Sequence, residues 1–335
     1  MNPDAVAVLG AGAWGTALAV HLARADSSPL VTLWARDAAQ ARSIAGSREN
    51  ARYLPGVTLP ASIVVDDDVF RASAGASMLI VATPVAALPD IVSLLCDCVR
   101  APLAWLCKGF VADASTACGV ALAHQFVSPR WPAPVAVISG PSFAEEVAAG
   151  LPTALSVAAT SPELAERLAG RLRAGALRAY VSADIAGVEV GGAVKNVLAI
   201  AAGASDGLGF GDNARAALIT RGLAETGRLS AAMGGKRETL MGLAGLGDLV
   251  LTCTGDRSRN RRVGLGLARG EPLSAVLASL GHVAEGVTAA RAVHALSGSL
   301  AIDMPICAAV YRVLYEGLEP KRAVAALLAR EPARE

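Results

Sequence analysis

Short apolar runs alternate with longer amphipathic segments through the first half of the chain. The runs occupy residues 5–10, 30–36, 63–65, 78–83, 103–107, 135–139, 153–159 and 177–182. Short continuous runs of this kind, separated by helical or loop segments, are typical of strands buried on both faces of a sheet. The alternation therefore predicts an α/β fold with a doubly wound sheet, whose ligands lie beyond the carboxyl ends of the strands.

The pattern changes near residue 183. Beyond it the strand-like runs stop, and apolar positions recur with helical spacing between glycine-rich turns. We therefore expect two domains. A sheet domain covers residues 1–183, and an all-helical domain that carries substrate binding and catalysis covers residues 184–335.

Residues 185–205 predict a buried helix, because apolar or small side chains face nearly every side of it. Three strongly polar residues interrupt that surface: Glu189, Lys195 and Asn196. A buried ammonium must find partners or lose its proton. Gly191 and Gly192 share a helical face with Lys195, which leaves two interpretations open. Either a substrate or cofactor lies against the glycines, or another helix packs there and Lys195 forms a structural ion pair.

The first apolar run leads into G-A-G-A-W-G, and a helical segment and a second apolar run follow. In this strand–turn–helix context, Gly10, Gly12 and Gly15 form a dinucleotide-binding fingerprint. Gly10 permits the tight turn, Gly12 lets the backbone approach a pyrophosphate, and Gly15 lets helix and strand pack closely. The helix N-terminus faces the phosphates. The sheet domain is therefore predicted to be Rossmann-like and to bind a dinucleotide.

The end of the second run bears on the choice of nicotinamide cofactor. An Asp or Glu there accepts hydrogen bonds from the ribose 2′-hydroxyl of NAD, whereas an arginine suits the 2′-phosphate of NADP. This chain has Ala35, Arg36 and Asp37 at that place. We expect NADP(H) to bind at least as well as NAD(H), while Asp37 keeps NAD(H) as an alternative.

Two predicted strand ends carry groups that suit an anion. Lys108 directly follows one strand, and S-G-P-S-F-A-E-E follows another and opens a helix, with Ser142 as the expected N-cap. In the helical half, Asp248 lies in an apolar run, and residues 254–262 combine arginines with Ser and Asn. That stretch is either a solvated face or a small phosphate pocket, since arginine binds phosphate through paired hydrogen bonds.

Composition narrows the functional class. The 335 residues are 53% hydrophobic and 18% charged, with a net charge of +1, which allows two substantial cores. Near-neutral charge, without a larger basic surface and aromatics interleaved with the basic residues, argues against a nucleic-acid partner. Neither a secretory signal nor a membrane span is predicted, because the longest apolar windows are interrupted. Six cysteines without metal-binding spacing predict reduced core residues in a cytoplasmic protein, and no metal site.

Several segments together resemble one family, the bacterial NAD(P)-dependent glycerol-3-phosphate dehydrogenases. They are G-A-G-A-W-G-T-A-L-A, R-Y-L-P-G, K-G-F, S-G-P-S-F-A-E-E-V-A, G-V-E-V-G-G-A-V-K-N and G-L-G-D-L-V-L-T-C-T followed by S-R-N-R-R. The resemblance runs from about residue 5 to about residue 320, in the family's order and spacing. The later segments are far more specific than the glycine fingerprint.

The resemblance implies reversible hydride transfer between NAD(P)H and dihydroxyacetone phosphate, giving sn-glycerol 3-phosphate for glycerophospholipid synthesis. It assigns the role of proton donor and acceptor to Lys195. The substrate-binding positions that it implies are Lys108, Gly140, Ser142, Lys195, Asp248, Ser258, Arg259 and Asn260. With the glycine turn included, the cofactor positions are Gly10, Gly12, Ala13, Trp14, Gly15, Arg36, Lys108, Ala144, Arg259, Val283 and Glu285.

One departure from the family and two alternatives qualify this assignment. Many members have Ser where this chain has Ala13; the backbone donors remain, so we expect a modest effect on cofactor affinity. A related two-domain dehydrogenase of hydroxy acids or sugar acids would also carry a buried lysine and asparagine, but the arginine cluster disfavours it. A non-catalytic NADPH-sensing protein would share the fold but would need no proton donor.

A homodimer is compatible with the sequence, although no heptad or apolar patch indicates one.

Overall fold

The computed structural model describes residues 4–25, 29–281 and 284–329. Within them the strands all lie between Val6 and Ser182. In chain order they are β1 (Val6–Leu9), β2 (Val31–Trp34), β3 (Glu49–Asn50), β4 (Leu54–Thr58), β5 (Ile63–Asp66), β6 (Met78–Val81), β7 (Leu103–Trp105), β8 (Val111–Ala112), β9 (Val120–Ala121), β10 (Val135–Ser139), β11 (Thr153–Ala159) and β12 (Leu177–Ser182).

Eight of these strands form one sheet, in the order β12-β11-β10-β7-β6-β1-β2-β5. From β10 to β5 every neighbouring pair is parallel, and β1 lies at the centre of this part, between β6 and β2. β11 pairs antiparallel with β10 and parallel with β12, so the last two strands run opposite to the others. The predicted Rossmann-like α/β sheet is confirmed, and all eight predicted strands are present.

Helices cover both faces of this sheet, which explains why its central strands are apolar throughout. Alternate residues of β1 enter two separate cores: Val6 and Val8 face one, Ala7 and Leu9 the other. The helices of this half are α1 (Ala13–Ala23), α2 (Ala38–Ser47), α3 (Val69–Ser73), α4 (Leu88–Leu95), α5 (Ala123–Val127), α6 (Ala144–Ala148) and α7 (Pro162–Leu172), with a 3₁₀ turn at Val85–Ala87.

The described residues after Ser182 are helical, as predicted. They form α8 (Ile185–Gly207), α9 (Gly211–Ala232), α10 (Arg237–Leu240), α11 (Asp248–Thr254), α12 (Arg259–Ala268), α13 (Leu273–Leu280), α14 (Glu285–Ser299), α15 (Pro305–Tyr315) and α16 (Pro320–Leu328). A π-helical turn, Leu243–Gly247, leads directly into α11. The change from strands to helices falls between β12 and α8, whereas the predicted domain boundary at residue 183 stays a prediction.

Helix α8 is the central element of the helical half. Eighteen of its 23 residues are buried, and α9, α11, α12 and α14 all pack against it. It is long and apolar enough to cross a membrane, yet 89% of its most apolar window is buried inside the protein. These contacts make α8 a core helix, as the pattern of residues 185–205 predicts.

Two short hairpins lie outside the main sheet, and the sequence analysis did not predict them. β3 pairs with β4, and β8 pairs with β9. The first one supports the glycine turn, because Asn50 is buried and its Nδ2 donates to the Ala11 carbonyl at 3.0 Å and to Thr16 Oγ1 at 2.8 Å. This hairpin includes part of the R-Y-L-P-G segment.

The prediction that the cysteines are core residues is wrong for most of them. All six are free thiols, but only Cys253 and Cys307 are buried, and Cys98 is exposed. Cys96, Cys107 and Cys118 are partly buried and pack against the edges of the hydrophobic cores.

Candidate active site

The glycine turn after β1 has the geometry that its fingerprint predicts. Gly10 adopts φ +126° and lies against the backbone of Ala82, where a Cβ atom would be 2.9 Å from the carbonyl carbon. A Cβ atom at Gly15 would lie 1.9 Å from the Gly10 carbonyl oxygen, so only glycine fits there. Around Gly12 there is open space, because a Cβ atom at that position would meet no atom within 4 Å. The turn therefore leaves room for a ligand at Gly12 alone.

Helix α1 begins at Ala13, immediately after this open position. Its N-cap, Gly12, offers no side chain to the amides of the first turn. Free amides at a helix N-terminus bind phosphate well, and the helix dipole adds to that preference. The residues present thus fit the pyrophosphate of a dinucleotide cofactor.

Arg36 and Asp37 follow β2 and differ in what they already bind. Asp37 is the N-cap of α2, and its Oδ1 accepts from the amides of Ala39 at 2.8 Å and Gln40 at 3.4 Å. Arg36 is exposed. Arg36 therefore offers a guanidinium that suits a 2′-phosphate, while Oδ1 of Asp37 is engaged in capping and its Oδ2 is able to accept from a ribose hydroxyl.

Three charged residues from distant parts of the chain meet at the centre of the site. Asp248, at the start of α11, is 1% exposed and accepts from two ammonium groups, one at each oxygen. Lys195 Nζ from α8 donates to Oδ1, and Lys108 Nζ, after β7, donates to Oδ2 at 2.5 Å. Lys195 Nζ also donates to Thr252 Oγ1 at 2.9 Å, and Lys108 Nζ to the Gly140 carbonyl at 3.3 Å.

Burial and the charges of neighbouring groups shift the pKa values of Lys195 and Asp248. The pKa of Lys195 is lowered to about 8, because desolvation by burial and the nearby charge of Lys108 outweigh the attraction of Asp248, which acts to raise it. The pKa of Asp248 is lowered: burial acts to raise it, but the two lysines together outweigh that effect. An amine with a pKa near neutrality both donates and accepts protons readily. The cluster therefore holds a group suited to acid–base chemistry.

The glycines beside Lys195 do not leave an open face. A Cβ atom at Gly191 would lie 2.6 Å from the Ala244 carbonyl oxygen, in the π-helical turn. A Cβ atom at Gly192 would lie 2.9 Å from Ser139 Oγ and 3.5 Å from Lys108 Cγ. Close packing thus accounts for both glycines, and it brings Lys195 against Asp248 and Lys108. At Gly191 the backbone of Ala244 therefore takes the place that a ligand would need, and the ion pair of Lys195 is present.

The turn after β10 joins several predicted positions. Ser142 Oγ donates to the Gly140 carbonyl at 3.1 Å, and the Ser142 carbonyl accepts from Trp14 Nε1 at 3.1 Å. The prediction that Ser142 is the N-cap of the next helix is wrong: α6 begins at Ala144, and its N-cap is Phe143, which makes no capping hydrogen bond through its side chain. The hydroxyl is bound within the turn instead. Gly140 and Trp14, from the substrate and cofactor sets, are linked through this residue.

The segment of arginines after α11 is divided between structural and free groups. Arg261 is bound to Asp206 and Asp256, and Arg257 pairs with Glu146 at 2.9 Å. Arg259 is exposed, and its charge acts on Glu285. Among the described contacts its guanidinium makes neither an ion pair nor a hydrogen bond, so this group is available to a ligand.

Ser258 and Asn260, on either side of Arg259, are buried and hold the segment in place. Ser258 is the N-cap of α12, and its Oγ accepts from the Arg261 amide at 3.2 Å. Asn260 Nδ2 donates to Asn196 Oδ1 at 2.9 Å, and Asn260 Oδ1 accepts from the Gly286 amide at 2.9 Å. One amide thus connects α8, α12 and α14.

Glu285, the first residue of α14, lies near this network. Burial raises its pKa, and the charges of Arg259, Lys108 and Lys195 oppose the increase. Ala144 is buried at the start of α6. Val283 was predicted to bind the cofactor, but it lies outside the described residues.

Thr252 belongs to this site, although its sequence context alone does not mark it as a site residue. It stands one helical turn after Asp248, and its hydroxyl contacts Lys195 Nζ and the Asp248 carbonyl. The spacing of four residues on an expected helix was the one available signal.

Comparison with known proteins decides the family. The model of the NAD-dependent glycerol-3-phosphate dehydrogenase N-terminus matches residues 5–165, and that of the C-terminus matches residues 184–325. The chain belongs to the NAD-dependent glycerol-3-phosphate dehydrogenase family. A family member from Burkholderia cenocepacia (strain HI2424), glycerol-3-phosphate dehydrogenase [NAD(P)+], is 52% identical over 334 residues, covering 97% of this chain and 98% of its own length.

Solved structures of this family share the architecture. Glycerol-3-phosphate dehydrogenase from Coxiella burnetii is 43% identical with a TM-score of 0.92, and the match covers 98% of this chain and 99% of that one. Glycerol-3-phosphate dehydrogenase from baker's yeast is 28% identical with a TM-score of 0.83, covering 96% and 99%.

Proposed function

We propose that this chain is an NAD(P)-dependent glycerol-3-phosphate dehydrogenase, which interconverts dihydroxyacetone phosphate and sn-glycerol 3-phosphate. Family membership supports the reaction. The observation that carries the proposal is Asp248, held between Lys108 and Lys195, because Lys108 follows β7 and the open glycine turn follows β1 at the carboxyl ends of parallel strands of one sheet. This placement joins a dinucleotide site to an acid–base site at one edge.

The ammonium of Lys195 is the general acid in this proposal. The reduced nicotinamide supplies the hydride when the cofactor is bound. Negative charge then develops on the carbonyl oxygen of the substrate, and Lys195 donates a proton to it. In the oxidative direction neutral Lys195 accepts the hydroxyl proton. Its pKa of about 8 leaves both protonation states accessible near neutral pH.

Lys108 and Asp248 prepare this proton transfer. Asp248 holds both ammonium groups in fixed positions, so little reorganisation is needed as charge develops. Lys108 orients the substrate beside the cofactor, together with the Gly140 carbonyl that it contacts. We assign Gly140 and Ser142 to the same substrate-binding wall.

The phosphate of the substrate is assigned to Arg259, Ser258 and Asn260. Arg259 brings a free guanidinium, and the two neighbours fix the backbone that presents it. A phosphate bound here distinguishes the substrate from the carboxylates of hydroxy-acid dehydrogenases. On the cofactor side we assign Gly10, Gly12, Ala13, Trp14, Gly15, Arg36, Lys108, Ala144, Arg259, Val283 and Glu285.

Wider features of the enzyme belong to the same proposal. We place the domain boundary at residue 183. The protein is assigned to the cytoplasm, and its product is used for glycerophospholipid synthesis. NADP(H) should bind at least as well as NAD(H), because the exposed Arg36 guanidinium suits a 2′-phosphate, and Asp37 keeps NAD(H) as an alternative. A homodimer remains a prediction, as do the absence of integral membrane association and of a nucleic-acid partner.

The test is oxidation of NADPH, followed by its absorbance, with dihydroxyacetone phosphate as substrate. Glyceraldehyde 3-phosphate, hydroxypyruvate and a reaction without substrate run beside it. Rapid oxidation with dihydroxyacetone phosphate alone supports both the reaction and the phosphate pocket. Oxidation with hydroxypyruvate instead indicates a hydroxy-acid dehydrogenase, and tight NADPH binding without any oxidation indicates a sensor. Repetition with NADH measures the cofactor preference.

A further inference from the structure

A small cavity lies beside Lys108, next to the active site proposed above. The ends of β7 and β10 and one face of α8 surround it, and its lining includes Trp105, Lys108, Ser139, Glu189 and Gly192. It has room for about one water molecule. The proposed roles of substrate and cofactor residues do not use this space.

Two polar atoms of the lining lack a regular hydrogen bond among the described residues. Ser139 Oγ has no partner, and Trp105 Nε1 makes no hydrogen bond of regular geometry, although it faces the Glu189 carboxylate closely enough to lower the pKa of that group. Both residues are almost fully buried, at 0% and 3% exposure. A buried indole N–H or hydroxyl normally finds a partner, because leaving it unmade costs about 1–3 kcal/mol. A cavity that holds two such atoms is a polar site of the kind that binds water.

Glu189 adds a third polar group to the same cavity. Its carboxylate is buried and binds His124 twice: Oε1 accepts from the His124 amide at 3.0 Å, and Oε2 lies 2.5 Å from Nδ1. Burial raises the pKa of Glu189, and hydrogen bonds from His124 oppose the increase, with a further contribution from Trp105. His124 is itself half-buried. Carboxylate oxygens have more acceptor sites than His124 fills, so Glu189 is able to accept from a water as well.

We propose that one ordered water occupies this cavity, and that Glu189 with His124 acts through it as a positioning pair for Lys108. The water accepts from Trp105 Nε1, bonds Ser139 Oγ and donates to Glu189, so all three polar groups are satisfied. It links the end of β7, the end of β10 and α8 across the cavity.

The residues that line the cavity also position Lys108, so the proposed water link bears on catalysis. Lys108 follows β7 closely after Trp105, and its ammonium donates to the carbonyl of Gly140, the residue after Ser139. Its aliphatic stem lies beside Ser139 Oγ over Gly192. A shift of either strand end therefore moves the Lys108 ammonium relative to Asp248. This inference rests on the proposed role of Lys108 in orienting the substrate.

The experiment compares Glu189→Ala with Glu189→Gln in the full chain, using NADPH and dihydroxyacetone phosphate. Removing the carboxylate releases the water and the strand ends, so we expect kcat to fall by about 10- to 100-fold while the Kd of NADPH stays within about twofold. Glu189→Gln keeps the shape and an acceptor, and it should recover kcat to within about fivefold of the wild type. A crystal structure should show a water within hydrogen-bond distance of Trp105 Nε1 and Ser139 Oγ.

Glu225 provides a matched control. It is likewise a buried carboxylate whose pKa is raised by burial, and it accepts from the amides of Ile306 and Cys307 at the start of α15. Glu225→Ala and Glu225→Gln should lower the Tm as the Glu189 variants do, but leave kcat within about twofold of the wild type. A loss of kcat in both series would point to general destabilisation and overturn the proposal.

Ser139→Ala serves as a second variant, since it removes one partner of the water and leaves the Glu189–His124 contact intact. We expect kcat to fall by about three- to tenfold with the Tm little changed. If Glu189→Ala does not fold, the kcat of Ser139→Ala alone tests the proposed water link. A wild-type kcat in the folded variants, or a crystal structure with ordered waters elsewhere and none here, overturns the inference. Absence of activity in the wild-type protein would instead refute the proposed function, and the crystal structure would still test the cavity.

Discussion

Asp248→Asn is the most informative change in the lysine cluster. The substitution keeps the size of the side chain but removes the negative charge between Lys108 and Lys195. Lys195 then loses the attraction that opposes its desolvation, while the repulsion from Lys108 remains. The pKa of Lys195 must therefore fall below the value of about 8 that it has in the wild type.

The size of this effect follows from the contact. Two charges about 4 Å apart interact with about 4 kcal/mol at an effective dielectric constant of about 20. Since about 1.4 kcal/mol corresponds to one pH unit, the limb of the pH profile that reports Lys195 should move down by about two to three pH units. At pH 7 the protonated fraction of Lys195 then drops from about nine-tenths to about one-tenth or less. Ketone reduction at that pH should slow by about 10- to 100-fold.

The assay measures kcat for reduction of dihydroxyacetone phosphate from about pH 5 to about pH 10. A general acid works while it is protonated, so wild-type reduction should hold below about pH 8 and decline above it, and glycerol 3-phosphate oxidation should rise over the same range. Asp206→Asn is the matched control, because it removes a carboxylate that binds two arginines, Arg215 and Arg261. Arginine does not titrate in this range, so the control profile should stay in place.

One result would refute this reasoning. If Asp248→Asn is folded, binds NADPH and still declines above about pH 8 as the wild type does, then the limb does not belong to Lys195 or the aspartate does not set its charge. An equal displacement in Asp206→Asn would show that the profile responds to the overall charge of the site instead.

Three further predictions concern single contacts. Lys195→Met should lower turnover by about 100- to 10,000-fold with NADPH affinity nearly intact in a fluorescence titration, and turnover within about tenfold of wild type would exclude the general acid. Arg36→Ala should raise the KM for NADPH by about tenfold and leave that for NADH unchanged; equal changes for both would remove Arg36 from the 2′-phosphate site. Gly191→Ala, whose methyl group would meet the Ala244 carbonyl, should lower the free energy of unfolding in urea by about 1–3 kcal/mol. The control Gly170→Ala, in open space on α7, should raise it by about 0.5–1 kcal/mol, and the same sign for both would contradict the packing argument.

The sequence predicted best what local patterns determine. All eight strands of the main sheet and the buried helix α8 follow from apolar runs and helical spacing, which depend on neighbours a few residues apart. The direction of β11 was not predictable, because a buried strand looks the same in either direction. The hairpin β3–β4 was missed since β3 has only two residues, too few to set up an alternating pattern.

In the candidate site, too, the sequence identified single residues but not their arrangement. Lys108, Lys195 and Asp248 were singled out individually, because each places a charge in an apolar surrounding. Their joint arrangement depends on contacts over 140 and 53 residues of sequence, which no spacing rule contains. The open face expected beside Gly191 was wrong for the same reason, since the Ala244 carbonyl that fills it comes from a distant turn.

The ion pair between Lys108 and Asp248 also constrains how the molecule moves. One partner belongs to the sheet half and the other to the helical half, and both are shielded from solvent. Hinge opening that separated them would break this ion pair, so the pair favours the orientation of the two halves that the structure shows. In the proposed mechanism, the charge that prepares the proton transfer would thus also help to hold one half of the molecule against the other.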